Sequence, residues 1–409
     1  MVQQKNPNSQ PRFLIALDPH LRRALTLWGI LAVAVCVKTV WLGGDRLVYP
    51  VFAASSHHWW SDKPLYVPYG PTEGIDGFRY SPAFAVAFTP LAYLPGMIGA
   101  IAWNLLSIGL LLWALHVLVR DVLPGAWPPW REGVFLTLTL GGSAVGIWSG
   151  HSNAIVPALI ILALAAIVRQ RWWWTSTLLA AAVFIKLWPM AIVLLLIACW
   201  PRQLSWRFAV VCVVLALLPF LTRPPDTVAW QYHEWYLCLK GPLQARGDGY
   251  RDAWTIWEQC VRPVNHHAYM ALQLVAALGV FGWCLWQRRR ALSTGQLLIA
   301  ILSIWASWQL LFGPGTEQLT YGIIAPSAGW AVLVSFAERK ARWLTVTAWA
   351  ILALLPSGDV EKAVLAIVPH GMILLPLGVV LFVAWLLWHE QGRASAAVAL
   401  LEEKFERKG

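Results

Sequence analysis

The sequence predicts an all-α polytopic membrane protein, and two observations carry that prediction. Of 409 residues, 58% are hydrophobic and 12% are charged, and 28 are tryptophan. Long apolar runs separated by short basic loops are the second observation, and they are typical of transmembrane helices. A chain of this composition cannot cover one apolar core with a polar surface. We therefore expect one membrane-embedded domain over residues 1–409, with about 10 to 12 transmembrane helices.

The apolar runs predict the spans in order, when each is compared with the roughly 20 residues that cross the hydrocarbon core. A run that begins at Pro82 and is broken by Pro90 and Pro95 predicts a re-entrant or interfacial segment. The predicted spans are Ala24 to Leu42, Gly96 to Val119, Glu132 to Trp148, Ala154 to Val168, Phe208 to Leu221, His267 to Gln287, Gln296 to Phe312, Leu319 to Phe336, Trp343 to Leu355 and Val364 to Trp388.

The stretch from Trp172 to Trp200 needs a different explanation. It is too long for one level span, and Lys186 and Pro189 lie at its middle. We predict two half-helices that meet at Lys186 and return to the side of the membrane on which they began.

The positive charges predict the orientation of the helices. A net charge of +11 would suggest nucleic-acid binding in a soluble chain, but here Lys and Arg lie in short loops between apolar runs. The segments that we assign to the cytoplasm hold 20 of the 31 Lys and Arg residues. Both termini, including a tail over 389–409, are therefore predicted to be cytoplasmic. The loops 43–80 and 223–266 lie outside, and no nucleic-acid partner is expected.

Four polar clusters interrupt the apolar runs, and in this topology they all fall on the non-cytoplasmic face. Ionisable groups in membrane segments are costly and mark functional sites. We therefore predict an enzyme with one membrane-embedded active site. The clusters are Asp45, His151-Ser152-Asn153, Lys186-Leu187-Trp188-Pro189 and Thr316-Glu317-Gln318.

Asp45 is the candidate catalytic base. It follows the first span directly, after two glycines that allow a substrate to approach the backbone. The alternative is a capping Asp at the start of an interfacial helix through Tyr49 and Phe52. The loop that follows alternates aromatic and polar residues as far as Tyr80, a pattern that suits a sugar, whose ring stacks while its hydroxyls form hydrogen bonds.

Lys186 is the candidate ligand for a phosphate. A lysine at the middle of an apolar run is costly unless an anion meets it, and a lipid-linked phosphate would supply that anion. The alternative is a lysine that snorkels to the interface. His151 and Asn153 belong to a site or to a simple polar turn. Glu317 is a site residue or an acid near the start of the next helix.

The long outside loop contains further candidates. Arg251, set among aromatic residues, is predicted to bind substrate or to form a surface ion pair with Asp252. Cys238 and Cys260 would close about 20 residues as a disulfide in an oxidising compartment, or remain two thiols. No Cys or His spacing is typical of a zinc site, so we expect neither metal nor cofactor.

The order of these motifs resembles the polyprenol-phosphate-mannose-dependent mannosyltransferases of the GT-C superfamily, which are bacterial membrane enzymes. Two of its motifs are altered, because Gly-Gln-x-Asn is Gly150-His151-Ser152-Asn153 here and Tyr-Pro-Pro is Tyr80-Ser81-Pro82; these changes leave the donor sugar open. The resemblance rests on Asp45, Phe78-Arg79-Tyr80-Ser81-Pro82, Phe88-Thr89-Pro90-Leu91-Ala92-Tyr93-Leu94-Pro95, Trp103-Asn104, Gly150-His151-Ser152-Asn153 and Lys186-Leu187-Trp188-Pro189.

The resemblance implies transfer of a sugar, usually mannose, from a polyprenyl phosphate to a hydroxyl of a lipid or glycan acceptor on the periplasmic face of the inner membrane. It implies that Asp45 is the base. We expect Lys186, Arg79 and His151 to bind the donor phosphate in a direct, inverting and metal-independent displacement. The alternative is a transporter or flippase for a lipid-linked anion. The other predicted substrate-binding residues are Tyr80, Asn153, Trp188, Arg251 and Glu317.

Overall fold

A computed structural model describes residues 18–42, 47–67, 77–95, 97–240, 249–261, 265–290, 292–368 and 370–406, and these residues are mainly helical. Short 3-10 turns at Leu218–Leu221, Gln318–Ile324 and Gly371–Ile373 and a π turn at Leu118–Val122 join some of the helices. The α-helices are α1 (Pro19–Leu42), α2 (Tyr49–Trp60), α3 (Pro82–Ala87), α4 (Thr89–Ala92), α5 (Met97–Val117), α6 (Pro129–Trp148), α7 (Ile155–Val168), α8 (Trp172–Ile185), α9 (Met190–Cys199), α10 (Pro201–Leu217), α11 (Pro225–Lys240), α12 (Ala253–Cys260), α13 (His266–Arg289), α14 (Thr294–Phe312), α15 (Ala325–Glu338), α16 (Arg342–Leu354), α17 (Gly358–Ile367) and α18 (Leu374–Glu406).

Seven helical segments among the described residues are long and apolar enough to cross a membrane. The chain is therefore a polytopic α-helical membrane protein, as the composition predicts. The seven are Pro19–Trp41, Met97–Val122, Pro201–Leu221, His266–Arg289, Thr294–Phe312, Gln318–Glu338 and Gly371–Arg393, and the shorter apolar helices are Ile155–Val168, Trp172–Ile185, Met190–Cys199 and Arg342–Leu354.

The predicted half-helices are confirmed. Helix α8 ends at Ile185 and α9 begins at Met190. A proline at position 189 ends the first helix, because its ring would clash with the carbonyl of residue 185 if the helix continued. The outer ends of the pair meet again where the rings of Trp172 and Trp200 lie 6.4 Å apart. With 14 residues, α8 is about 21 Å long, shorter than the hydrocarbon core of about 30 Å.

One sequence-based span is wrong, and two other segments are more helical than the sequence predicted. The predicted span from Val364 to Trp388 is two helices, because α17 ends at Ile367 and His370 takes a left-handed φ of 60° before α18 begins. Helix α18 then continues to Glu406 through the segment predicted as a tail. The loop 223–266 contains α11 and α12, which are too short and too polar to register as membrane spans.

The hydrophobic core is centred on α7 and α14, which are buried along most of their length. A second cluster of aromatic side chains packs α2 and α3 on α5. In it the Phe52 ring lies 4.9 Å from Tyr80, 5.2 Å from Phe84 and 5.5 Å from Trp103. This aromatic cluster covers the end of the bundle at which α6 ends and α7 begins, because the Trp103 indole donates to the carbonyl of Gly150. We call this end the site end.

At the opposite end, which we call the far end, buried charges are paired. The Glu390 carboxylate, 1% exposed, lies 2.8 Å from Arg393 and 3.6 Å from Arg290. Asp121, which is 13% exposed in the π turn after α5, pairs with the more exposed Arg169, which follows α7. These contacts group the basic loops that the sequence analysis assigned to one side of the membrane.

Candidate active site

The turn between α6 and α7 forms one wall of the site. Gly150 in this turn has a φ of +68°, a conformation that favours glycine, and a Cβ there would lie 3.4 Å from the Asn104 side chain. Trp103 donates to the Gly150 carbonyl at 2.8 Å, and the Val48 amide donates to the Ser149 carbonyl at 3.2 Å. These bonds fix the backbone that leads to Asn153.

Lys186 lies opposite this turn, at the break between α8 and α9. Its backbone is extended, with φ −140° and ψ 139°, so the side chain leaves the helix axis. The Nζ atom donates to Asn153 Oδ1 at 2.6 Å, and Asn153 Nδ2 donates to the Leu319 carbonyl at 2.9 Å. Three segments far apart in the sequence therefore meet at one polar point.

The positive charge of Lys186 has a neutral partner. In the described part of the chain, no carboxylate oxygen lies within 4.0 Å of its Nζ atom, and Glu317 attracts the ammonium from farther away. The Nζ atom also lies 5.9 Å from the centre of the Tyr80 ring. A half-buried ammonium bound only to an amide and near an aromatic face is suited to an anionic ligand.

Tyr80 and Ser81 join the first loop to this point. The buried Tyr80 hydroxyl lies 3.5 Å from Ser152 Oγ. Ser81 begins α3 by accepting from the Phe84 amide at 3.2 Å, and its hydroxyl donates to the carbonyl of Phe184, two residues before Lys186. The altered Tyr80-Ser81-Pro82 motif therefore binds directly to the end of α8.

His151 lies in the turn outside both α6 and α7. Its Nδ1 atom is buried and has no hydrogen-bond partner among the described residues. Burial, together with the nearby Lys186 ammonium, lowers the pKa of His151 from 6.5 to about 3. The imidazole is therefore neutral at pH 7 and can donate or accept a hydrogen bond without adding charge.

Trp188 and Glu317 lie close in the sequence to this polar point, because Trp188 follows Lys186 by two residues and Glu317 precedes Leu319 by two. The half-buried Trp188 ring stacks on Trp305 of α14, with centroids 5.6 Å apart and planes 24° apart. The Glu317 side chain is exposed, and its backbone forms a bridge with Tyr250.

The two predicted arginine ligands, Arg79 and Arg251, have surroundings that differ from those of Lys186. Arg79 is exposed, and its carbonyl accepts from the indole of Trp235 at 3.3 Å. Arg251 is 5% exposed and its Nε atom donates to Glu361 at 2.7 Å. The interpretation of Arg251 as half of a surface ion pair is therefore wrong, because the pair is buried and its acid comes from α17.

Other predictions lie outside the structure or differ from it. Asp45 lies outside the described residues. Cys238 and Cys260 are free thiols, so the disulfide is not formed. They lie on different helices, and the Cys238 sulfur lies 4.0 Å from the Phe78 carbonyl while Cys260 is exposed at the end of α12.

Sequence reasoning missed three contributors to this region. The Leu319 carbonyl carries no sequence signal, because any residue supplies one. Trp305 is one of many tryptophans, and only packing selects it. Glu361 could have been noticed as an acid within the apolar segment that follows residue 357, a position that is costly without a partner.

Comparisons with known proteins complete the description. The crystal structure of ArnT from Cupriavidus metallidurans bound to undecaprenyl phosphate is similar over 89% of this chain and 77% of that one, with 15% identity and a TM-score of 0.40. Comparison with curated protein sequences gives no match. The model of glycosyltransferase family 87 matches residues 78–314, a range that includes Tyr80, Asn153 and Lys186. This range is more than half of the chain, which therefore belongs to glycosyltransferase family 87.

Proposed function

We propose that this membrane glycosyltransferase transfers a sugar from a polyprenyl-phosphate donor to a hydroxyl of a lipid or glycan acceptor. The observation that supports the donor best is the Lys186 ammonium, held by Asn153 at the break between two membrane half-helices. A phosphate on a lipid tail would enter such a site from the membrane and supply the missing negative charge. Mannose is the sugar that we propose, from the resemblance of the motifs.

The proposed reaction is a single displacement. Asp45 accepts the proton of the acceptor hydroxyl, the oxygen attacks the anomeric carbon, and the bond from that carbon to the phosphate oxygen breaks. Lys186 stabilises the departing phosphate, with help from Arg79 and His151, and inversion follows from the single step. Tyr80, Asn153, Trp188 and Glu317 surround the sugar or the acceptor.

One contact of the described residues supports Asp45 as the base. Val48, three residues farther along the chain, donates to Ser149 in the turn that leads to Asn153. A chain of three residues spans at most about 11 Å, so the connection from Val48 is short enough for a base at position 45 to serve this turn. We propose a metal-independent reaction, because a phosphate that is paired with fixed cations is already a good leaving group.

We propose that the site faces the periplasm of a bacterial inner membrane, with both termini cytoplasmic. The excess of Lys and Arg in the loops at the far end supports this orientation. Membership of a glycosyltransferase family favours an enzyme over the transporter that the broken helices also suggested.

The test compares Asp45→Asn with the native chain and with Asp62→Asn. Asp62 lies in the same predicted outside loop, and its carboxylate is 64% exposed, so its pair with Arg223 contributes little. Membranes from a deletion strain of the producing bacterium, complemented with each variant, receive radiolabelled polyprenyl-phosphate mannose in the presence of a chelator. We expect transfer by the native chain and by Asp62→Asn, and a loss of at least about hundredfold in Asp45→Asn. Transfer that survives in Asp45→Asn excludes Asp45 as the base, and transfer abolished by chelator excludes the metal-independent route. Absence of transfer from the native chain excludes this donor.

A further inference from the structure

A buried ion pair joins α17 to the loop before α12. Arg251 Nε lies 2.7 Å from Glu361 Oε1, and the two side chains are 6% and 8% exposed. The rest of α17 is open: Val360 is 40% exposed and Ile367 is 81% exposed. Glu361 is thus an acid turned inward from a helix that exposes the apolar side chains of Val360 and Ile367.

The backbone beside Arg251 holds the segment that contains Glu317. The Arg251 amide donates to the Thr316 carbonyl at 2.8 Å, and the Arg251 carbonyl accepts from the Tyr321 hydroxyl at 2.8 Å. Tyr250 forms a bridge with Glu317 itself. The segment 316–321 is therefore fixed at both ends by two consecutive residues of the loop.

The same segment contacts the polar point of the site on its other side. The Leu319 carbonyl accepts from Asn153, whose Oδ1 accepts from Lys186. A continuous series of contacts therefore leads from Glu361, through Arg251, the segment 316–321 and Asn153, to Lys186.

Burial of an ion pair is an expensive way to stabilise a fold, because apolar residues of similar volume stabilise as well or better. In return, an ion pair fixes the relative positions of the two segments that it joins, because its hydrogen bonds are directional. We propose that Glu361 is a positioning residue, which holds Arg251 and thereby sets the segment 316–321 against Asn153 and Lys186. The Arg251 side chain is then engaged by Glu361 rather than by substrate. The consequence for donor binding rests on the proposed function, whereas the consequence for the segment 316–321 does not.

The test compares Glu361→Gln, the double variant Arg251→Met/Glu361→Leu and the control Asp359→Asn. The double variant replaces both charged side chains with apolar ones that fill the same space, so it avoids the unpaired buried charge of a single variant. Asp359 is an exposed acid on the same helix. Each purified protein is examined by thermal unfolding, by hydrogen exchange of peptides that cover 314–321 and 149–155, and by binding of a short-chain polyprenyl phosphate.

We expect the double variant to unfold at or above the native temperature, to exchange faster over 314–321, and to bind polyprenyl phosphate roughly 2- to 30-fold more weakly. The native protein and Asp359→Asn should agree in all three measurements. Native exchange and affinity in the folded double variant would overturn the positioning role and leave only a contribution to stability. Faster exchange in the variant, with no binding of polyprenyl phosphate by the native protein, would keep the positioning role and reject the proposed donor.

Discussion

The positive charges at the two ends of the helix bundle have different partners. At the far end the buried Glu390 carboxylate is bound by Arg290 and Arg393, and Arg290 is bound in addition by the Gln287 amide at 2.6 Å. At the site end Lys186 donates to the neutral amide of Asn153. The fold therefore neutralises the arginines at the far end with a carboxylate, whereas among the described residues it gives the half-buried Lys186 only a neutral partner.

This difference separates structural from functional charge. A buried cation that has its own carboxylate has a structural role, because the attraction between the two charges offsets their desolvation cost within the protein. A cation held by an amide keeps most of its charge available for a ligand. Arg251 shows that position alone does not decide the role, because it lies at the site end and yet is paired with Glu361.

Removal of the far-end acid should give the largest effect, and it should act on stability. Glu390→Gln leaves Arg290 and Arg393 without their buried partner, so the free energy of unfolding should fall by about 3–5 kcal/mol. Thermal unfolding in detergent measures the loss, and the folded fraction should bind polyprenyl phosphate as the native protein does. The control is Glu338→Gln, in which an acid that is 42% exposed loses His389 at a cost of about 1 kcal/mol or less. An unchanged unfolding temperature together with weaker donor binding would show that Glu390 serves donor binding rather than stability.

Removal of the site-end cation should give the next largest effect, and it should act on catalysis. Lys186→Gln removes the charge that faces the departing phosphate, so transfer should fall by about 10²- to 10³-fold. Stability should hold or rise, because a buried charge is lost. Transfer and thermal unfolding are measured together, with Lys340→Gln, an exposed lysine at the far end, as the matched control. A stable variant with native transfer would remove Lys186 from the site.

The smallest effect concerns His151 and pH. Because its pKa falls from 6.5 to about 3 in the folded protein, the unfolded chain binds more protons between these values. The contribution to stability is therefore complete above pH 6.5 and is lost progressively as the pH falls toward 3. The unfolding temperature should drop between pH 7 and pH 5, and His151→Gln should reduce that drop, whereas His267→Gln on the exposed start of α13 should not. An equal drop in all three proteins would contradict the burial of a neutral imidazole.

The local sequence pattern was sufficient to predict much of the fold. Apolar runs predicted most membrane helices, because a span of hydrocarbon requires about 20 residues whatever the neighbours are. Lys186 and Pro189 predicted the break between α8 and α9, since a proline interrupts a helix in any setting. The helices α11, α12 and α17 were missed, because short helices that mix polar and apolar residues lack both the length and the uniform apolarity of a span.

The sequence by itself determined that this chain is a polytopic membrane protein and which polar clusters interrupt its helices, because hydrocarbon excludes charge regardless of fold. Only the tertiary structure decided which clusters meet and which charges are neutralised. Asn153, Lys186 and Leu319 come together through the packing of α7, α8 and the segment after α14, and nothing in their spacing encodes it. Arg251 and Lys186 are both cations at the site end. The carboxylate of Glu361, 110 residues from Arg251, makes Arg251 structural, and no such partner of Lys186 lies in the described residues.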